Sequence, residues 1–447
     1  MKIVVLGAGP TSIGAAHRLA ELGHPYFTLY EKNDYIGGHS ASTVDAAGFV
    51  WDEGGHCVFS KYDYYNALYD KTMADNMHLV ERRAWVWQFD RFIPYPYQNN
   101  IRYLPPQEQQ ECVMGILDTM DPAAAARQPK NFHEHNVRTM GAGITQHFMD
   151  PYNFKVWAWP SEEMSYTWIG ERVSKIDARR ALSNIILGKD DANWGPNNSF
   201  KYALRGGTGE FYKRVAEKFA DKIGFKKKVV GLKTAEKKIV FEDGTSDSYD
   251  KLVSAMPVDV LVAQSDLPAE VKTAAANLKF NSGFVFGIGG KGELPEIFRD
   301  KTWIYYPEEK YLFQRINVHS NYSKEVAPPG HWAILFEISY SEKRPLAKDA
   351  VRENIMEYLK EQKIISVPGD LVTEWSMDIK YFYPVPTLDR DANLKIVQAA
   401  LMKAGIYSRG RYGAWKYEIS NMDHCFMQGV EAVDNILNGK EESVWQM

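Results

Sequence analysis

Residues 2–14, KIVVLGAGPTSIG, decide the fold. The apolar run KIVVL predicts a short buried strand; it ends in Gly7 and Gly9, and apolar spacing predicts a helix from about Ser12 to Leu22. Strand, glycine turn and helix in that order form the phosphate-binding opening of a βαβ unit. The glycines let the backbone approach a pyrophosphate, and the helix start, Pro10, Thr11 and Ser12, offers N–H groups and a positive dipole. The third glycine of the usual fingerprint is replaced by Ser12, with Gly14 nearby. A second strand, FTLYE, ends in Glu31, where a carboxylate can accept from a ribose hydroxyl. With that context we read a dinucleotide site rather than a structural turn.

Outward from this unit, more glycine loops follow. EKNDYIGGHSAS brings Gly37, Gly38 and Ser40; WDEGGHCVFS brings Gly54, Gly55 and His56; GGTGE spans 206–210. The last is read equally well as a plain helix-start turn. So many backbone approaches suit the long FAD molecule better than NAD. At the far end, residues 410–435, GRYGAWKYEISNMDHCFMQGVEAVDN, pack an arginine, two tyrosines and a helix start into a short span, and read as the other half of the same site.

The 447 residues call for two or three domains, and 45% hydrophobic with 25% charged residues is the balance of a folded soluble protein. A net charge of −4 argues against nucleic-acid binding through bulk positive charge. Cys57, Cys112 and Cys425 lack CxxC spacing, which excludes a disulfide framework and a cysteine zinc site and fits a reducing compartment; no metal is called for. The chain opens on a strand without a charged-then-apolar leader, and no apolar run approaches the ~20 residues of a membrane helix, so a cytoplasmic setting without membrane attachment is expected.

Residues 101–200 carry helical patterns such as PPQEQQECVMGILDTM. Alternating segments around EDGTS lead into the strand KLVSAMP, residues 280–380 alternate as an antiparallel layer (SGFVFGIGG, HWAILFEISY), and a last helix is expected at about 424–437. The fold class is α/β: a Rossmann-like FAD-binding domain assembled from 1–90, 201–270 and 395–447, an inserted, mainly helical substrate domain at 91–200, and an antiparallel β-sheet domain at 271–394.

The blocks PYPYQNNIRYLP, PYNFKVWAWP, WIGERV, NWGPN, SNYS and GRYGAWKYEISNMDH carry a resemblance. The chain resembles the flavin-dependent UDP-galactopyranose mutases, most nearly the type found in eukaryotes. The resemblance runs from the first strand to the last helix and implies an isomerase that interconverts UDP-galactopyranose and UDP-galactofuranose by attack of reduced flavin N5 on the anomeric carbon, without net redox change. FAD is then the cofactor, NAD(P)H the external reductant and a UDP-sugar the substrate; the oligomeric state stays open. The resemblance makes Arg172 and Arg315 the diphosphate arginines and Tyr305, Tyr383 and Tyr417 donors to the same phosphates, with Tyr322 in the substrate pocket. It puts Tyr95 and Gln98 at uridine, and Asn153, Trp157 and Asn197 elsewhere in the pocket; plain core packing competes for Trp157. Arg82, Arg411 and His56 fall beside the flavin, Asn421, Met422 and Asp423 at its far edge, and Val229 at adenine. Met422 departs from the usual Gln, and Asp423 is read also as a helix N-cap. Other readings are a mutase for another nucleotide sugar, an amine-oxidase-type flavin oxidoreductase, and a non-catalytic nucleotide-sugar binder.

Overall fold

The protein is described here from a computed structural model covering residues 1–122, 126–170, 176–191, 198–366 and 368–446. The opening strand, Ile3–Leu6, lies in the middle of a five-stranded sheet of order Ile406–Ser408, Lys251–Ser254, Ile3–Leu6, Phe27–Tyr30, Ile223–Gly224, all pairs parallel. Its four residues are buried on both faces, as a central parallel strand requires. Ile3 and Val5 join one core with Ile13, Leu19 and Phe426, while Val4 and Leu6 join another with Leu261, Val397 and Leu401.

The first helix spans Pro10–Glu21, starting two residues earlier than its apolar spacing suggests because Pro10 takes the first helical turn, where its missing N–H costs nothing. Against it lies the last helix, Met422–Asn438. The two approach through reciprocal glycines: a Cβ on Gly14 would sit 2.2 Å from the Phe426 carbonyl oxygen, and one on Gly429 would sit 1.9 Å from that of Thr11.

The second sheet has seven strands in the order Leu371–Pro384, Phe280–Lys291, His331–Tyr340, Arg315–Asn317, Trp303–Tyr305, Ala84–Gln88, Arg91–Pro94. The layer expected over 280–380 is antiparallel, but two earlier strands extend it, and Ala84–Gln88 joins Trp303–Tyr305 in parallel. A parallel pair needs a long crossover, and the chain between these strands supplies one. Helix Lys348–Glu361 covers one face through Ile355 and Leu359, packed on Ile288, Ile334 and Phe336. Between the outer strand Arg91–Pro94 and Ser199–Ala203 the described elements are helical, among them Pro106–Asp118, Phe132–Met140, Asp150–Trp157 and Ala178–Leu187. Among the described residues no helix is long and apolar enough to cross a membrane.

Candidate active site

The first turn closes as its sequence requires. Gly7 has φ +98°, and Ser12, standing where the fingerprint has its third glycine, donates from Oγ to the Leu6 carbonyl at 3.0 Å, tying the helix start to the strand end. The close-packing part of the third glycine passes to Gly14, against the last helix. Opposite lies the loop of Gly37 and Gly38: the Gly37 N–H donates to the Ala8 carbonyl at 2.9 Å, and a Cβ on Gly38 would come 3.0 Å from the Gly9 Cα. Two bare backbones therefore face each other at the N-terminus of a helix, with Thr11 and Ser40 buried beside them. Glu31 is buried just past the end of the second strand and accepts the Asn33 N–H at 2.9 Å, and Val229 begins the strand Val229–Lys233.

The turn at Gly206–Gly209 has a structural explanation. Thr208 donates to Asp52 through N (3.1 Å) and Oγ1 (2.8 Å), the Gly209 N–H donates to Ser42 Oγ at 2.9 Å, and Tyr202 adds a third donor to Asp52 at 2.8 Å. Asp52 thereby anchors the strand that runs into the loop of Gly54, Gly55 and His56. His56 Nδ1 is buried without a hydrogen-bond partner among the described residues. Burial holds this imidazole below its usual pKa, Asp52 and Glu337 oppose that, and Arg411 reinforces it.

The large sheet supplies the polar centre. Arg315 Nη2 donates to both carboxylate oxygens of Glu337, at 2.7 Å each; Glu337 also accepts the Gly55 N–H at 2.6 Å and Asn317 Nδ2 at 2.7 Å, and its side chain has no solvent exposure. Burial disfavours the charged carboxyl, but Arg315 and these donors outweigh it and hold Glu337 below the ordinary carboxylate range. Arg315 stays a guanidinium: desolvation works against its charge, and Glu337 with the surrounding tyrosines holds it above its usual pKa. Only Nη2 is engaged by Glu337.

Aromatic rings surround that pair. Tyr305 stands 5.3 Å from Tyr95 and 5.1 Å from Tyr152, ring centre to ring centre. Tyr417 is edge-on to Trp157 at 4.8 Å and to Trp168 at 5.5 Å, and lies 5.7 Å from Tyr383. Arg82 lies 5.4 Å over the Tyr95 ring and 5.5 Å over Trp303; Arg411 lies 5.1 Å over Tyr383 and donates to the Ser420 carbonyl at 3.0 Å. Burial raises the Tyr95 and Tyr383 hydroxyl pKa, so both remain donors at neutral pH.

Among the described candidates, the structure thus brings Arg82, Tyr95, Trp157, Tyr305, Arg315, Tyr383, Arg411 and Tyr417 together in one cluster of aromatic rings and arginines. Trp157 is buried, as core packing requires, and its aromatic neighbours include two of the candidate tyrosines, Tyr383 and Tyr417. Asn153 is buried and donates to the Met149 carbonyl at 2.7 Å; Gln98 is buried in the turn Tyr97–Asn99. Tyr322 is wholly buried, with its hydroxyl on Asn317 Oδ1 at 3.2 Å. Arg172 and Asn197 lie outside the described residues. Asp423 is not the N-cap: that place belongs to Asn421, and Asp423 sits one residue inside the last helix, buried in its first turn. Met422 packs on the apolar cluster around Phe426, a contact a polar side chain would not make.

Sequence reading missed Tyr152, Glu337, Asn317, Asn281 and Trp168. Glu337 carried a signal, being the only charge in the apolar run WAILFEISY. Tyr152 and Trp168 lie in the blocks PYNFKVWAWP and WIGERV but were not singled out there, and Asn281 and Asn317 are polar residues within strands.

The family profile of the flavin-containing amine oxidoreductases matches residues 13–437. A crystal structure of reduced UDP-galactopyranose mutase superposes at TM-score 0.95 with 40% identity, covering 99% of this chain and 95% of that one. The chain belongs to the flavin-containing amine oxidoreductases and, within them, to the UDP-galactopyranose mutases.

Beyond the mutases the likeness is of fold alone. A protoporphyrinogen oxidase-like structure from Exiguobacterium sp. 255-15 superposes at TM-score 0.75 with 14% identity, over 98% of this chain and 99% of its own. Among curated relatives, the 4,4'-diapophytoene desaturase of Staphylococcus haemolyticus (strain JCSC1435) is 40% identical over 72 residues, which is 16% of this chain and 14% of that protein. Its Staphylococcus aureus (strain Newman) counterpart is 28% identical over 124 residues, 28% of this chain and 23% of that protein. The helix N-terminus without a side-chain cap beside the bare backbones of Gly9 and Gly38, and His56 Nδ1 unpartnered among the described residues, fit a flavin dinucleotide: the first offers backbone N–H groups to a pyrophosphate, and the second is a buried polar atom that a ligand heteroatom can satisfy.

Proposed function

We propose that this protein is a UDP-galactopyranose mutase, interconverting the pyranose and furanose forms of UDP-galactose without net redox change. The observation that carries the proposal is Arg315, half-buried and charged among tyrosines, in a chain that matches a mutase along its whole length. A diphosphate calls for charge-assisted donors. Glu337 takes only the Nη2 end of Arg315, which leaves Nε and Nη1 for a ligand, and the tyrosine hydroxyls add neutral donors. We assign Arg315, with Arg172, to holding and releasing the UDP diphosphate, Tyr305, Tyr383 and Tyr417 to donating to it, and Tyr95 and Gln98 to uridine. Trp157 and Asn153 wall the sugar.

Reduced FAD, when bound, supplies the nucleophile, so no catalytic Ser, Cys or metal is required of the protein. Arg411 and Arg82, held on aromatic faces, place positive charge where an anionic reduced flavin benefits. His56 stays neutral through burial and offers a hydrogen bond from the Gly54–Gly55 loop. The aromatic walls keep water from the reacting sugar. NAD(P)H as reductant, a cytoplasmic setting and the division into an FAD domain (1–90, 201–270, 395–447), a substrate domain (91–200) and a sheet domain (271–394) belong to the same proposal.

The test is direct. Purified yellow protein, reduced with dithionite or NAD(P)H, converts UDP-galactofuranose to UDP-galactopyranose, followed by chromatography. Reduced protein without interconversion, together with amine-dependent oxygen consumption by the oxidised form, overturns the reading.

A further inference from the structure

Helix Asp150–Trp157 carries Asn153 and Trp157 one turn apart on a single face. Lys155 lies between them and points elsewhere. Its side chain has no solvent exposure, and its ammonium donates to the carbonyls of Tyr306 (2.7 Å), Glu308 (2.9 Å) and Tyr311 (2.6 Å). Burial, and then Arg344, push the Lys155 pKa well down; against this the three carbonyl acceptors favour the ammonium, all of whose donors they take up. All three carbonyls belong to the connection between Tyr305 and Arg315. None of the three partners is a carboxylate, so the ammonium is desolvated for the sake of one backbone segment.

The same helix is held a second time at its end. Asn281, wholly buried where the pairing of Phe280–Lys291 with Leu371–Pro384 shifts register, donates from Nδ2 to the carbonyls of Val156 (2.9 Å) and Trp157 (2.8 Å). Its Oδ1 accepts the Tyr383 N–H at 2.8 Å. One short helix is thereby tied in its middle to the Tyr305–Arg315 connection and at its end to the strand of Tyr383. Both partners carry candidate ligand groups, and Tyr383 lies 5.9 Å from Trp157, ring centre to ring centre.

We propose that Lys155 and Asn281 are positioning residues: they fix the helix of Asn153 and Trp157 against the elements that carry Tyr305, Arg315 and Tyr383, and so set the affinity for a UDP-bearing ligand without touching it. This rests on the function proposed above. Misplacing a wall of a binding site weakens the ligand while leaving the cofactor, held by other elements, in place.

The experiment compares the wild-type flavoprotein with Lys155→Met, Asn281→Ser and the double variant. Flavin content, melting temperature, UDP affinity by calorimetric titration of the reduced holoenzyme, and KM and kcat for UDP-galactofuranose are measured on each. The expected result is full flavin content, UDP Kd and KM raised together by about tenfold in each single variant, a smaller change in kcat, and a double variant weaker than wild type by less than the product of the two losses. Folded, flavin-loaded variants with a lowered melting temperature but unchanged UDP affinity overturn the proposal, because a merely structural role moves only stability. If Lys155→Met does not accumulate as folded holoprotein, Asn281→Ser alone decides, by the same criterion. Failure of the wild-type protein to bind UDP instead removes the functional reading, which is distinguishable because it is seen before any variant is made.

Discussion

At the residue scale, Glu337 holds together parts of the candidate site that are far apart in sequence. One carboxylate receives Arg315, Asn317 and the Gly55 N–H, so it neutralises the central arginine and pins the loop before His56. Replacing it by glutamine preserves shape and one acceptor but leaves the half-buried Arg315 without its counter-charge. Breaking such a pair costs about 3 kcal/mol or more. Glu337→Gln is therefore expected to lower the unfolding free energy by about that amount in urea titration and to raise the KM for the UDP-sugar. Arg315→Ala, by contrast, is expected to abolish measurable turnover with flavin retained by absorbance; loss of flavin would move Arg315 to the cofactor site. Arg315 entered through the resemblance and Glu337 stood out as a lone charge in an apolar run, but their pairing was not readable, because the two meet only across adjacent strands.

At the scale of elements, the first and last helices were both readable from apolar spacing, to within two residues at each end. Their pairing was not. It depends on Gly14 and Gly429 meeting the other helix's backbone, and a glycine inside a helix pattern gives no hint of which partner it admits. Gly429→Ala puts a methyl group where the Thr11 carbonyl oxygen lies, which pushes the last helix away from the dinucleotide turn. The expected outcome is destabilisation of about 1–3 kcal/mol by denaturant titration together with faster loss of flavin on dilution. A variant that melts like wild type and keeps its flavin would show that the helices have slack here.

At the scale of the whole molecule, several buried histidines make stability depend on pH. His17 is held down to about 4, chiefly by burial and then by Lys218, and burial also lowers the pKa of His56 and His319. The unfolded chain takes up these protons near pH 6.5, whereas the native protein refuses them until the pH is lower, so their contribution is fully present above pH 6.5 and is lost as the pH falls. The melting temperature is expected to decline between pH 7 and pH 4 by scanning calorimetry, and His17→Phe should flatten part of that decline. A flat profile for the wild type would mean that these sites accept protons readily in the native state.

The sequence by itself determined the βαβ opening, the helix and strand periods, the flavin-protein class and the short motifs that hold Tyr95, Trp157, Arg315 and Arg411, because each of these is written in neighbouring residues. Only the tertiary structure decided that Ser12 replaces a glycine by bonding to Leu6, that Asp52 claims the GGTG turn, that Glu337 pairs with Arg315, and that Lys155 and Asn281 tie the helix Asp150–Trp157 to its neighbours. Those partners lie 6, 156, 22, 151 and 125 residues apart in the chain. The longer separations carry no local periodicity, and a buried polar group finds its partner through the packing of whole elements rather than through its neighbours in sequence.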